Sequence, residues 1–252
     1  MTELAYLAEI SDAYVRTFRA RVVSLPPGGV VLDRTYFYPT GGGQPSDRGF
    51  LVLNDGGRLE VVDVSKSGPS VIHRVKGPAA VLARLVAGAE VEGSIDWPRR
   101  LMHMRLHSAQ HLLSARVFAR TGRRTRKANL TGNRAILELD GPVPAEILGP
   151  LAEDLAAALD APREVSIRRV PRADWDRNPA SERSGLVPLP AHVDPVRVVE
   201  INGLDVCPCG GTHVRSTGEL GRVTLLPPVA LPDGASRLEL RLEETATPGP
   251  SG

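Results

Sequence analysis

Asp96-Trp97-Pro98-Arg99-Arg100-Leu101-Met102-His103-Met104-Arg105-Leu106-His107-Ser108-Ala109-Gln110-His111-Leu112-Leu113 is the stretch where the chain changes character. Asp96 reads as an N-cap, and Pro98 suits a first helical turn, where a missing N–H costs nothing. Leu101, Met104, Leu112, Ala115 and Phe118 recur at helical spacing until Gly122 stops the run, about six turns on. Upstream, from Ala13 to Ile95, short apolar runs at 30–32, 36–38, 50–53, 59–64 and 71–75 predict strands. Turn-formers such as Pro26-Pro27-Gly28-Gly29, Gly41-Gly42-Gly43 and Ser67-Gly68-Pro69 separate them. Such regular spacing predicts a small antiparallel β-barrel. Downstream come an expected strand at 135–139, a helix at 144–159, and strand-like runs at 165–170, 196–201, 221–226 and 237–242. The fold class is therefore α+β: a glycine-rich barrel domain over 1–95, an α+β domain over 96–244, and a disordered Gly/Pro/Ser/Thr tail over 245–252.

Composition narrows the function. The 31 Lys and Arg against 29 Asp and Glu leave a formal charge of +2, so a nucleic-acid site has to be a local patch and not a global field. No window approaches the roughly 18 apolar residues of a membrane span, and residues 1–10 carry two acids and no basic leader. The reading is of a cytoplasmic protein with no membrane partner and no DNA partner. The two cysteines, Cys207 and Cys209, have one residue between them, a poor spacing for a structural disulfide and a better fit to a reducing compartment.

Four of the six histidines and both cysteines fall in two short clusters. His103, His107 and His111 are spaced i, i+4, i+8, and His107 and His111 share a helix face with about 40° of drift. Two imidazoles one turn apart can grip one small cation, with His103 turned further away. The second cluster is Cys207-Pro208-Cys209-Gly210-Gly211-Thr212-His213, where the glycines allow Cys209 and His213 to converge. Two histidines from a helix with a cysteine and a histidine from a loop form a nitrogen–sulfur donor set suited to tetrahedral zinc. Cys207 is the alternative thiolate, disfavoured by Pro208 and by the absence of glycine next to it.

Arg105-Leu106-His107-Ser108-Ala109-Gln110-His111-Leu112-Leu113 together with Cys209-Gly210-Gly211-Thr212-His213-Val214 resembles the zinc-binding editing domain of alanyl-tRNA synthetases and of their free-standing AlaX-type relatives. The segment from Val30 to Gly49, with Thr40-Gly41-Gly42-Gly43-Gln44 within it, resembles the glycine-rich barrel that precedes that domain. Ile95-Asp96-Trp97 and Arg99-Arg100 also fit. The resemblance covers nearly the whole chain and matches the medium-length class of these proteins, a length that leaves no room for an aminoacylation domain. It implies a threonyl/alanyl-tRNA synthetase second additional domain-like fold and a zinc-dependent aminoacyl-tRNA hydrolase. The implied reaction is trans-editing: deacylation of alanine tRNA mischarged with serine, with glycine as a second candidate.

Within that reading His107, His111, Cys209 and His213 hold zinc. An open coordination position would let the metal polarise the ester carbonyl or acidify a water; four protein ligands would favour a shaping role. A small apolar charging pocket rejects an added hydroxyl only about a hundredfold, so a second, polar pocket is needed. Thr40, Gln44 and Gln110 are the candidates for reading the serine hydroxyl, with Gly42 and Gly43 allowing close backbone approach or simply forming a loop. Arg99, Arg100 and Arg105, with Arg123, Arg124, Arg126 and Lys127 near Arg120 at the far helix end, are candidates for the tRNA phosphates; the alternative for the latter group is a solvated helix end. A non-catalytic, zinc-containing tRNA-binding module is the competing function.

Overall fold

The computed structural model describes residues 2–184 and 189–243. The expected tail at 245–252 lies outside the described residues. The chain forms two compact units: Met104 and everything before it with the loop Gly210–His213, and Arg105–Cys209 with the chain from Val214 on. The helix Trp97–Thr121 contributes its first turns to the first unit and the remainder to the second. Among the described residues no helix is long and apolar enough to cross a membrane.

In the first unit six strands pair antiparallel in a closed order: Thr17–Ser24, Val30–Leu32, Ser70–Lys76, Arg58–Ser67, Gly49–Leu53, Glu90–Ile95 and back to Thr17–Ser24. Thr17–Ser24 is written in period two: Phe18, Ala20 and Val22 point inward while Arg19 and Arg21 face solvent. No long apolar run announces it, nor Glu90–Ile95, because polar residues or glycine alternate with apolar ones through most of both strands. At Gly49 a β-carbon would lie 2.0 Å from the Ser94 carbonyl oxygen, so only glycine lets these neighbouring strands close.

The expected strand at 36–38 is absent. Its backbone groups are claimed by side chains instead. The Phe37 N–H donates to Thr35 Oγ1 at 3.1 Å and the Tyr38 N–H to Asp47 Oδ2 at 2.6 Å, while the Tyr36 carbonyl accepts from Arg100. Arg100 and Asp47 form an ion pair whose side chains are both 0% exposed. The guanidinium reaches Asp47 Oδ1 at 3.1 Å through Nε and the Ala13 carbonyl at 2.8 Å through Nη1. A buried guanidinium needs such a full set of acceptors.

His73 is equally enclosed. Its Nδ1 lies 3.1 Å from the Val30 carbonyl, which can only accept, so Nδ1 carries the proton and Nε2 accepts from Thr35 Oγ1 at 2.8 Å. Burial pushes its pKa from 6.5 down to about 4.

The second unit is mixed α and β. One sheet runs Val223–Leu225, Ser236–Leu242, Arg134–Leu139, Thr125–Thr131, with Val229–Ala230 also on Ser236–Leu242; another runs Val165–Val170, Val196–Ile201, Asp205–Pro208. The helix Leu148–Asp160 buries Leu151, Leu155 and Ala158, one stripe at i, i+4, i+7. The arginine-rich segment after Gly122 is not a helix end: Thr125–Thr131 is a strand paired along Arg134–Leu139, so Arg126 and Lys127 are strand residues.

Three outcomes follow for stability. Arg100→Met leaves Asp47 as a buried, unpaired carboxylate and should cost about 3–5 kcal/mol in urea unfolding. Arg21→Met, which breaks an exposed 3.2 Å pair with Glu90, should cost less than about 1 kcal/mol. Below pH 6.5 the unfolded chain takes up a proton at His73 that the folded chain refuses until about pH 4. Stability should thus be full above pH 6.5 and drop by roughly 3 kcal/mol on the way down to pH 4, and His73→Gln should flatten that slope.

Candidate metal centre

From His103 to Ala115 every residue of the helix Trp97–Thr121 is buried. Asp96 caps its start, its Oδ1 accepting from the Arg99 N–H at 3.2 Å. A helix enclosed on all sides must find a partner for each polar side chain it carries. Arg105 Nε donates to the Leu220 carbonyl at 2.8 Å, Ser108 Oγ accepts from the Val214 N–H at 3.2 Å, and Ser114 Oγ meets Thr125 Oγ1 at 2.7 Å. His107 and His111 turn to one another and to a thiol.

Their rings stand 5.1 Å apart between centroids, tilted by 64°. Cys209 Sγ lies 3.5 Å from His107 Nε2. His107, His111, Cys209 and His213 each offer one ligand atom, and the four atoms all lie within 4.8 Å of one another. In a tetrahedral zinc site, donors of this kind stand about 3.3–3.7 Å apart, so the His107–Cys209 separation already matches and the rest need only a small contraction. Three imidazoles and a thiolate are also the borderline-soft set that zinc prefers. The residues present fit a metal ion. His213 is 0% exposed and only Cys209 is partly open. His103 and Cys207 are not among the four donors.

The loop donors are placed by strand chemistry. Asp205–Pro208 pairs with Val196–Ile201, and just beyond it the Cys209 N–H donates to the Arg197 carbonyl at 3.1 Å. The Arg197 guanidinium binds the Cys209 carbonyl in return. Asp205, on the same strand, sets its Oδ2 3.0 Å from His111 Nδ1, both side chains buried. This leaves Nε2 of His111 as its ligand nitrogen, the carboxylate–histidine pattern common behind bound metals. Burial alone would lower the His111 pKa, but the charge on Cys209 and the hydrogen bond His111 donates to Asp205 outweigh it and hold the pKa well above 6.5. Sequence spacing gives no signal for Asp205, which is 94 positions from its histidine.

Other expected site residues are redistributed. Arg100 is sealed in its ion pair and Arg105 is buried on a carbonyl, so neither is available to a phosphate. Arg99 is half-buried, its Nε on the Ser46 carbonyl at 3.0 Å. Arg126 faces Asp233 at 2.6 Å and Glu138 at 3.7 Å, Arg124 faces Glu182 at 3.5 Å, and Arg120 faces Asp154 at 2.7 Å. Arg123 is half-buried and Lys127 exposed.

The glycine segment is a tight turn. Gly41 and Gln44 exchange both backbone hydrogen bonds, and Gly42 and Gly43 take φ of +55° and +82°. Two successive left-handed residues make a type I′ turn, which glycine accepts at no steric cost. Thr40 is exposed with its Oγ1 accepting from the Ser46 N–H at 3.1 Å, and Gln110 is buried on the helix. Gln44, 1% exposed, points both ends of its amide at Thr212.

Residues 6–99 match the model of class II (A) tRNA synthetases, and residues 196–244 that of the threonyl and alanyl tRNA synthetase second additional domain. The chain is 37% identical over 231 residues to the alanyl-tRNA editing protein AlaX-M of Methanosarcina acetivorans, a match spanning 87% of this chain and 90% of that protein. It is 34% identical to the alanine–tRNA ligase of Pyrococcus abyssi and 35% identical to that of Pyrobaculum neutrophilum. Those matches cover 93% and 90% of this chain but 25% of each ligase, so the chain spans about a quarter of the length of these relatives.

If Asp205 orients His111, Asp205→Ala should weaken zinc affinity about 10–100-fold in competition with a chromophoric chelator, with the fold retained by circular dichroism.

Proposed function

The chain belongs to the family of AlaX alanyl-tRNA editing proteins, and from that premise we propose that it is a trans-editing hydrolase that removes serine, and secondarily glycine, from mischarged alanine tRNA. The observation that carries the reading is the convergence of His107, His111, Cys209 and His213 in a chain that matches AlaX-M over nine-tenths of its length.

Zinc bound there would supply positive charge to the ester carbonyl or fix the shape of the site. The chain's own residues do the holding. Asp205 fixes the ring of His111, Arg197 fixes the backbone of Cys209, and the buried helix keeps both helical imidazoles still. An aminoacyl ester is already activated, so holding it in line with a water supplies much of the barrier reduction, of roughly 7–11 kcal/mol available to well-oriented reactants.

Selection of serine over alanine calls for a polar partner for one hydroxyl. Gln110, between the two helical ligands, and Thr40 are the residues proposed for it, with Gly42 and Gly43 giving a low-profile turn. Arg99, Arg123, Arg124 and Lys127, with Arg126 behind its acidic partners, are proposed to meet tRNA phosphates without reading sequence. A thiolate ligand and a charged-tRNA substrate both suit the cytoplasm.

The test is deacylation of serine-, glycine- and alanine-charged alanine tRNA with and without chelator. Serine-charged tRNA should be hydrolysed about a hundredfold or more faster than alanine-charged tRNA. Chelator, His107→Ala or Cys209→Ala should abolish the activity. Tight tRNA binding with no release of serine would make the chain a non-catalytic, metal-containing tRNA-binding module instead.

A further inference from the structure

Gln44 was expected to read the substrate's hydroxyl. Its surroundings give it other work. The side chain is 1% exposed, its Nε2 donates to Thr212 Oγ1 at 2.8 Å, and its Oε1 accepts from the Thr212 N–H at 3.2 Å. A carboxamide engaged at both ends by one residue holds that residue's backbone and side chain together, as a clamp and not as a passing contact. Thr212 is itself 1% exposed and directly precedes His213, the fourth metal donor. Fixing the Thr212 N–H and hydroxyl holds the Gly211–Thr212 peptide and the Thr212 side chain, and so the residue from which the backbone runs directly into His213.

The clamp is itself braced. Gln44 closes the Gly41–Gln44 turn through two backbone hydrogen bonds of 3.1 and 2.9 Å. Tyr38 donates its hydroxyl to the Gly41 carbonyl at 2.8 Å. The left-handed glycines keep the turn narrow enough for Gln44 to leave it at a defined angle. Gly210 and Gly211, by contrast, give the segment between Cys209 and His213 backbone freedom that has to be removed from outside.

We infer that Gln44 is a positioning residue for the metal centre: through Thr212 it sets His213 and thereby the affinity of the site for its ion. The inference rests on reading the four-donor cluster as a metal site, and it removes Gln44 from the hydroxyl-reading set.

The measurement is metal binding by the full chain, with Zn2+ in competition with a chromophoric chelator and Co2+ followed by its visible absorption. Gln44→Met keeps the side-chain volume and loses both hydrogen bonds. It should bind Zn2+ about 10–100-fold more weakly and alter the Co2+ spectrum. Thr212→Val, which loses the hydroxyl alone, should fall between that variant and the native chain, and Thr212→Ser should restore native affinity. If Gln44→Met is unfolded, the Thr212→Val and Thr212→Ser pair decides by the same readouts. Native Zn2+ affinity and an unchanged Co2+ spectrum in both Gln44→Met and Thr212→Val would overturn the positioning role. Altered serine-over-alanine selection alone would return Gln44 to the substrate. Failure of the native chain to bind either ion would sink the metal reading itself.

Discussion

A helix buried on every side while carrying arginine, serine and histidine is the constraint from which the site follows. Between His103 and Ala115 there is no water-facing stripe to which a polar side chain could turn. Each polar group left unsatisfied there would cost on the order of 1–3 kcal/mol. The surrounding segments are accordingly spelled to answer it: the Leu220 carbonyl for Arg105, the Val214 N–H for Ser108, Asp205 for His111, Cys209 for His107. All four partners come from the last 50 residues of the chain, so the fold must bring distant segments onto the helix before it is stable. A metal ion adds one positive charge centre to this arrangement and satisfies four donors at once, which is why a cation suits the cluster better than hydrogen bonds alone.

The four candidate metal donors were legible because their constraint is local. His107 and His111 are one helical turn apart, and Cys209 and His213 share one glycine-containing loop, so spacing alone implies convergence. Strand runs at 165–170 and 196–201 were legible for the same reason: valine and isoleucine recur within each short run between polar residues, and the structure has Val165–Val170 and Val196–Ile201 there. What spacing cannot carry is a partner chosen by tertiary contact. Tyr36-Phe37-Tyr38 has strand composition, yet Asp47 and Arg100 take its hydrogen bonds and hold it as a loop. Arg100 and Arg105 look like a surface pair of cations in sequence, and only the enclosure of the helix makes them internal.

Gln44 and Asp205 show the same limit from the other side. Both reach the candidate donors at long range in sequence: Gln44 bonds Thr212, 168 positions away and next to His213, and Asp205 bonds His111, 94 positions away. Neither carries a motif of its own. Gln44 drew attention through its glycines, which form a type I′ turn. Asp205 drew none. Ligand residues are thus readable from one sequence where their supports are not, because ligands obey coordination geometry and supports obey only packing.

The strand Thr125–Thr131 ends its sheet among the described residues, paired on one side only with Arg134–Leu139. An unpaired rim of that kind invites another molecule to add its own strand. Lys127 stands exposed on that rim, with Arg126 beside it held half-buried between Asp233 and Glu138, and charged side chains of this kind discourage a second copy from pairing there. Whatever else these side chains touch, they serve colloidal solubility: removing their charge to probe ligand affinity would also unguard the rim, and clumping would follow from the same edit.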